Sequence, residues 1–216
     1  PGGRVWTRAE LERLAAFVRR HDLILVSDEI HHDLTFGIKH TPMALIEGIK
    51  DQLIMMTATT KTFNIAGGHV GNVIIESPGL RDRFAKRMTA LGSSPNAFGL
   101  HMATAAYSEG GAAWLDALVK YLDGNRKLFD AGINAIPGLK SMQLEATYLA
   151  WVDFSRTGMT KEDFTARVEN SAKIAVNHGP TFGSGGEQFL RFNIGTTRAN
   201  IELAVAKIQT AFKDLQ

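Results

Sequence analysis

Lys61 stands in a setting that is unusual for a lysine. It follows the apolar run Leu53 to Met56, which is typical of a buried strand, and it precedes the small residues Ala66-Gly67-Gly68. Threonines occupy positions 57, 59 and 60 beside it. Hydroxyls and small residues suit an anion such as a phosphate, which needs donors and a close approach of the backbone. The alternative is a surface lysine that extends its amine into water.

Asp28 is the second residue whose position indicates chemistry. The apolar run Leu23 to Val26 predicts a strand that ends at Ser27-Asp28, and ligands of α/β proteins collect at the C-terminal ends of parallel strands. A carboxylate that only caps the next turn is the alternative. A desolvated lysine near a carboxylate is the arrangement that holds an aldehyde cofactor as a Schiff base and keeps its pyridine nitrogen protonated. The pair therefore indicates such a site.

The composition is that of an ordinary globular protein and excludes several function classes. Of the 216 residues, 44% are hydrophobic and 21% charged, and 24 Lys plus Arg face 22 Asp plus Glu without any basic run, so no nucleic-acid partner is expected. The absence of cysteine excludes a disulfide scaffold and cysteine-ligated zinc. No apolar run approaches the roughly 20 residues that cross a bilayer. We expect a cytoplasmic protein with no membrane partner.

Helices and buried strands alternate in the first half of the chain. Thr7 to Glu10 has the form of a capping box, and a helix of about three to four turns is expected to follow it. Short apolar runs predict strands buried on both faces: Leu23 to Val26, Leu53 to Met56 and Val73 to Ile75. A helical pattern near Arg81 to Leu91 comes next. This order predicts an α/β layered sheet.

The pattern changes in the second half. A long helix is predicted from Ala112 to about Ala135, where Pro137-Gly138 stops it. Two strands (Tyr148 to Phe154 and Gln188 to Ile194), a capped helix (Thr160 to Val168) and a final helix with a stripe of Ile201, Val205, Ile208 and Phe212 follow. We predict two domains, residues 1–115 and a smaller α+β domain of residues 116–216, joined by the long helix.

Five segments resemble, in order and spacing, motifs of the pyridoxal-phosphate (PLP) enzymes of fold type I. They are Pro1 to Trp6, Ser27 to His31, Thr60 to Gly67, Glu145 to Trp151 and Phe189 to Asn193. The likeness is to the class I/II aminotransferase superfamily, and within it to the MalY/PatB-type cystathionine β-lyases. It implies that residues 1–115 are the C-terminal part of the PLP-binding large domain, with a mixed, mainly parallel sheet, and that the full-length protein is a homodimer.

The resemblance also implies roles for individual residues. Lys61 would hold PLP as a Schiff base and later remove the Cα proton of an amino-acid substrate. Asp28 would pair with the pyridinium nitrogen, and His31 would face the phenolic oxygen, where many aminotransferases place a tyrosine. Arg191 would clamp the substrate α-carboxylate in the bidentate geometry that arginine offers.

The phosphate site departs from the usual aminotransferase pattern. Many aminotransferases have Gly-x-Arg-x-Gly after the lysine, whereas this chain has Gly-Gly-His-Val-Gly at positions 67–71. Thr60, Thr59 and His69 are therefore the candidates for contacts with the cofactor phosphate. This departure fits the lyase branch, which often lacks the arginine.

The resemblance implies β-elimination of a sulfur amino acid to pyruvate, ammonia and a thiol. Transamination of an amino acid is the alternative, and a PLP-binding regulatory domain is a weaker one. A cluster of Asp28, Glu29, His31, His32 and Asp33 resembles a crude metal site, but no second cluster completes a coordination shell and no metal is predicted. Because full-length relatives continue upstream, we expect the 216 residues alone to bind PLP poorly and to be inactive.

Overall fold

A computed structural model describes residues 2–215 and divides them into two compact units. The first unit runs from Val5 to Ala117. The second contains the residues up to Arg4 together with those from Leu118 onward. The boundary between the units falls inside a long helix.

The first unit begins with helix α1 (Arg8–Arg20), as the sequence predicts. The Thr7 hydroxyl accepts a hydrogen bond from the Glu10 amide at 3.3 Å, and the Glu10 carboxylate accepts one from the Thr7 amide at 2.8 Å. These bonds satisfy N–H groups that no helix carbonyl reaches. The predicted capping box is confirmed.

Three strands of this unit form one sheet, in the order β1 (Leu25–Asp28), β2 (Leu53–Thr57) and β3 (Asn72–Ile74). Strands β1 and β2 are parallel, and Asp28 lies opposite Met56. Strand β3 runs antiparallel to β2. The sheet is therefore mixed, as predicted, and the C-terminal ends of β1 and β2 meet at one edge.

A buried apolar cluster packs α1 against this sheet. Its members are Leu11, Ala15 and Val18 of α1, Met43, Ile46 and Ile49 of the segment between β1 and β2, and Leu53 and Met55 of β2. The prediction that the strands are buried on both faces is wrong for β1, where Val26 is 54% exposed, and for β3, whose three residues are all exposed. Alternate side chains of a strand point to opposite faces, and the cluster covers only one of them.

Helices α2 (Thr59–Thr62), α3 (Pro78–Ala90) and α4 (Ala97–Ala106) complete the first unit. Helix α3 matches the predicted helical pattern and begins earlier, at a proline whose missing N–H costs nothing there. Helix α4 was not predicted, because its alanines, threonine and glycine give no apolar stripe. The side chain of Asn96 fixes its start by accepting from the Gly99 amide at 2.7 Å and donating to the Gly68 carbonyl at 2.7 Å.

The predicted long helix is confirmed as α5 (Glu109–Asn134). Its apolar positions are interrupted by charged residues. Among residues 2–215, no helix combines the length and the apolar character needed to cross a membrane.

The second unit contains an antiparallel sheet covered by helices. Its strands are β4 (Lys140–Ser141), β5 (Leu149–Asp153), β6 (Asn177–His178) and β7 (Phe189–Asn193), in the order β4-β5-β7-β6. Its shorter helices are α6 (Lys161–Ala166) and α7 (Arg198–Ala211). The predicted stripe of α7 is buried, from Ile201 at 2% exposure to Phe212 just past the helix end at 0%. The expected α+β architecture is confirmed.

Candidate active site

Lys61 lies on α2, a single helical turn that starts two residues after the end of β2. Ala58 joins them in an extended conformation. The turn is closed by the Phe63 amide, which donates to the Thr59 carbonyl at 2.9 Å, and by the Ile65 amide, which donates to the Thr60 carbonyl at 3.0 Å. The Lys61 side chain is half-buried, and its amine has no hydrogen bond or ion pair within residues 2–215.

Asp28 lies at the same edge of the sheet as Lys61. It ends β1, the parallel neighbour of β2, and its partner Met56 is five residues before Lys61. One carboxylate oxygen accepts a hydrogen bond from the Ile30 amide at 3.2 Å. The Asp28 side chain is exposed and forms no other hydrogen bond or ion pair within the described residues. The structure thus brings a lysine and a free carboxylate oxygen to one sheet edge.

The phosphate candidates lie at the start of the turn and in the loop after it. Thr59 and Thr60 are 2% and 8% exposed, and the Thr59 hydroxyl is buried without a hydrogen-bond partner in the described part of the chain. An unsatisfied buried hydroxyl costs about 1–3 kcal/mol, which a bound anion would offset. His69 is exposed and adopts a left-handed conformation, φ 45°. The donor set therefore fits an anionic group next to Lys61.

The segment after β1 is tied to the lysine turn by side-chain hydrogen bonds. The Thr62 hydroxyl donates to the Asp33 carboxylate at 2.9 Å, and the other oxygen of that carboxylate lies 3.1 Å from His32 Nε2. His31 is half-buried in the same segment, and its carbonyl accepts from the Leu34 amide at 3.0 Å. The hydrogen bond from Thr62 to Asp33 thus joins the lysine turn to the segment that carries His31 and His32.

Glu29 is a buried structural residue of the same segment. Its carboxylate accepts hydrogen bonds from His40 Nε2 at 2.7 Å, the Met43 amide at 2.9 Å and the Ser27 hydroxyl at 2.9 Å. Burial raises the pKa of Glu29, but these hydrogen bonds outweigh it and hold the pKa below the ordinary 4.5. Within residues 2–215, no group of three His, Asp or Glu side chains is arranged to hold a metal ion.

Replacing Glu29 with glutamine should remove a pH-dependent part of the stability. Since the native pKa is below 4.5, Glu29 stabilises the fold fully above that pH, and the contribution disappears as the pH falls through the native pKa. We expect E29Q to cost about 1–3 kcal/mol at pH 7 and to flatten the decline of the thermal midpoint as the pH falls below 4.5. The exposed Glu47→Gln is the matched control, and an equal acid slope in wild type and E29Q would contradict this role.

Arg191 belongs to the second unit, whereas Lys61 belongs to the first. It lies on β7 opposite Trp151 of β5 and Asn177 of β6. Its Nη2 donates to the Asn177 side-chain carbonyl at 3.1 Å, and its guanidinium carbon is 4.3 Å from the centre of the Phe182 ring. Burial lowers the pKa of Arg191, and its Nε is buried without a partner among the described residues. The guanidinium is thus held in one orientation, as an anion clamp requires.

Sequence reasoning missed the residues that support the candidates. Thr62 was noted only within the lysine motif, and Asp33 only as part of the possible metal cluster. Asn177 and Phe182 gave no signal, because their contacts with Arg191 depend on strand register and on the course of a loop.

Comparisons with known proteins show the family of this chain. The family model for aminotransferase class I and II matches residues 1–208. Cystathionine beta-lyase PatB of Bacillus subtilis is 36% identical over 215 residues, which are 98% of this chain and 55% of PatB. The chain thus spans about half the length of the curated relatives it matches.

Solved structures show the same likeness. The PLP-containing cystalysin from Treponema denticola matches with a TM-score of 0.92 and 35% identity, over 99% of this chain and 55% of cystalysin. The aromatic aminotransferase of Pyrococcus horikoshii matches with a TM-score of 0.91 and 28% identity, over 99% of this chain and 57% of that protein. The predicted family and fold are confirmed.

Proposed function

Because the chain belongs to the aminotransferase class I and II family, we propose that the complete protein carrying it is a PLP-dependent carbon–sulfur β-lyase. It would convert a sulfur amino acid and water to pyruvate, ammonia and a thiol. The observation that carries the proposal is the placement of Asp28 and Lys61 at the C-terminal ends of two neighbouring parallel strands, Asp28 as the last residue of β1 and Lys61 on the turn after β2. Further support comes from the names of the relatives: PatB is a cystathionine beta-lyase, and this chain is 36% identical to it.

When bound, PLP supplies an aldehyde that reacts with amines and a pyridine ring that accepts the electrons released at the substrate Cα. The Lys61 amine is the group of this chain that would bind the aldehyde carbon. Once released, the same amine would take the proton from Cα. No hydrogen bond or ion pair within residues 2–215 holds that amine, so it is available for both tasks.

Asp28 would keep the pyridine nitrogen protonated. Its carboxylate has one oxygen engaged by the Ile30 amide and one without a partner among the described residues. An anion beside the nitrogen stabilises the protonated ring. His31 would contact the phenolic oxygen, and Thr59, Thr60 and His69 would contact the phosphate.

Arg191 would bind the substrate α-carboxylate. We expect Arg191→Lys to raise KM about 10- to 100-fold, because lysine keeps the charge but loses the planar pair of donors and the contact with Phe182. Steady-state kinetics of the complete protein measure this change. The control is Arg156→Lys, an exposed arginine of the same unit, and an unchanged KM in R191K would contradict the assignment.

Product analysis with L-cystathionine tests the proposed function. We expect the complete protein with PLP to release pyruvate, ammonia and homocysteine in equal amounts. If it instead releases a keto acid of the intact substrate and retains the amine as the pyridoxamine form of the cofactor, the lyase proposal is wrong and transamination is the activity.

Transamination is the second candidate, because the aromatic aminotransferase of P. horikoshii has a TM-score of 0.91 to this chain. Against it stands His69 in place of the arginine that many aminotransferases direct at the phosphate. A purely regulatory role is less favoured, since the amine of Lys61 and the carboxylate of Asp28 are both available for chemistry.

Further properties stay predictions. They are the homodimer, the cytoplasmic location, the inactivity of the 216 residues alone, and the division into a PLP-binding part (residues 1–115) and a small domain (residues 116–216). Gel filtration of the complete protein and of the 216-residue chain, with PLP absorbance recorded for each, tests the first and the third.

A further inference from the structure

We infer that Asp33 and Thr62 form a positioning link that fixes the Lys61 turn relative to the segment carrying Asp28 and His31. The inference rests on the proposed function of Lys61. Neither Asp33 nor Thr62 is assigned to contact the cofactor or the substrate, so both would act through the lysine.

The link is a hydrogen bond between two segments that are distant in sequence. The Thr62 hydroxyl, on a side chain that is 1% exposed, donates to Asp33 Oδ2 at 2.9 Å across 29 residues. Thr62 is the last residue of α2 and directly follows Lys61. Asp33 lies five residues after Asp28. The hydrogen bond between Thr62 and Asp33 therefore joins the segments that follow β1 and β2, next to Asp28 and Lys61.

The Asp33 carboxylate is itself held on its other side. His32 Nε2 lies 3.1 Å from Asp33 Oδ1, and His32 Nδ1 lies 2.7 Å from the Glu29 carbonyl oxygen. The His32 ring therefore lies between the Glu29 carbonyl and the Asp33 carboxylate. One oxygen of the Asp33 carboxylate thus lies next to His32, and the other accepts the hydrogen bond from the Thr62 hydroxyl.

Apart from the backbone hydrogen bonds that close it, the turn around Lys61 has no other side-chain hydrogen bond among the described residues. Helix α2 has four residues, its N-cap Ala58 makes no side-chain cap bond, and the Lys61 amine has no partner within residues 2–215. Displacing a reacting group by about 1 Å can cost about 100-fold in rate. A buried hydrogen bond at the neighbouring residue is therefore a means of holding the lysine in reach of its target.

Thr62→Val removes the hydroxyl and nearly preserves the shape. In the complete PLP-loaded protein we expect kcat to fall about 10-fold while KM changes less than about twofold, because turnover and not substrate binding depends on the lysine position. Thr62→Ser keeps the hydroxyl and should restore kcat to within about twofold of wild type. Thr210→Val, which removes another threonine hydroxyl that donates at 2.9 Å, is the matched control and should leave kcat unchanged.

Hydrogen–deuterium exchange of the cofactor-free protein gives a readout that does not depend on activity. In T62V, peptides covering residues 59–65 should exchange about 10-fold faster, while peptides covering α1 should not change. Asp33→Ala should have at least the same effect on the turn. If the two residues form one link, adding T62V to D33A should change kcat and exchange less than about twofold further.

Two results would overturn the link. The first is a T62V protein whose kcat and whose exchange rate in residues 59–65 equal those of the wild type. The second is a loss of kcat in T62V that T62S does not restore, or one that adds fully to the loss in D33A. Failure of the proposed function looks different, because the wild-type protein would then yield no pyruvate or thiol. The exchange experiment would still decide on the link in that case.

Discussion

Replacing Lys61 with alanine in the complete protein is expected to abolish turnover, with a loss of roughly 10⁴-fold or more. Two functions disappear together, since the same amine would bind the cofactor aldehyde and move the substrate Cα proton. Pyruvate release and the absorbance of the PLP-loaded protein measure the two losses. The half-buried amine has no partner within residues 2–215, so its removal should leave the fold intact.

Lys86→Ala is the matched control for this prediction. Lys86 is exposed on α3 and makes no ion pair or hydrogen bond of its side chain within the described residues. It should keep wild-type turnover and absorbance. Residual K61A activity within about tenfold of wild type would show that another group moves the proton.

Asp28→Asn is expected to reduce kcat by about 10²- to 10³-fold, the range found when one electrostatic stabiliser of a transition state is removed. Asparagine has nearly the same shape and can still accept the hydrogen bond from the Ile30 amide, at 3.2 Å in the wild type. Only the negative charge is lost. Without it, the proton on the pyridine nitrogen is no longer favoured and the ring accepts electrons less readily.

Asp82→Asn provides the control, because Asp82 is exposed and lies within α3 and not at the end of a strand. Kinetics and a cofactor titration should be measured together. A D28N protein that binds PLP normally and loses little kcat would remove Asp28 from its assigned role. A D28N protein that fails to bind PLP would show that Asp28 acts mainly in binding the cofactor.

The longer strands and the amphipathic helices could be predicted because local patterns determine them, whereas the two-residue strands β4 and β6 could not. Helix α1 follows from its capping box, and α7 from the stripe that begins at Ile201. Helix α4 could not, since it has no apolar stripe and Asn96, which caps it locally, also bonds the Gly68 carbonyl 28 residues away. Exposure of Val26 could not be predicted either, because an apolar run does not indicate how many faces of a strand are covered.

In the candidate site too, some residues could be predicted from the sequence and others could not. Lys61 and Asp28 could be found from the sequence, since each follows an apolar strand and the resemblance assigns each a role. Their supports depend on contacts between distant segments: Thr62 with Asp33, and Arg191 with Asn177 and Phe182. Residue types and spacing carry no information on such contacts until the register of the strands is known.

The most direct test of the central claim is to reduce the PLP-loaded complete protein with borohydride and map the modified peptide by mass spectrometry. We predict that the cofactor mass is found on Lys61, in the peptide that contains Thr60 and Thr62. Cofactor attached to a different lysine, or a reduced protein without attached cofactor, would contradict the assignment of Lys61.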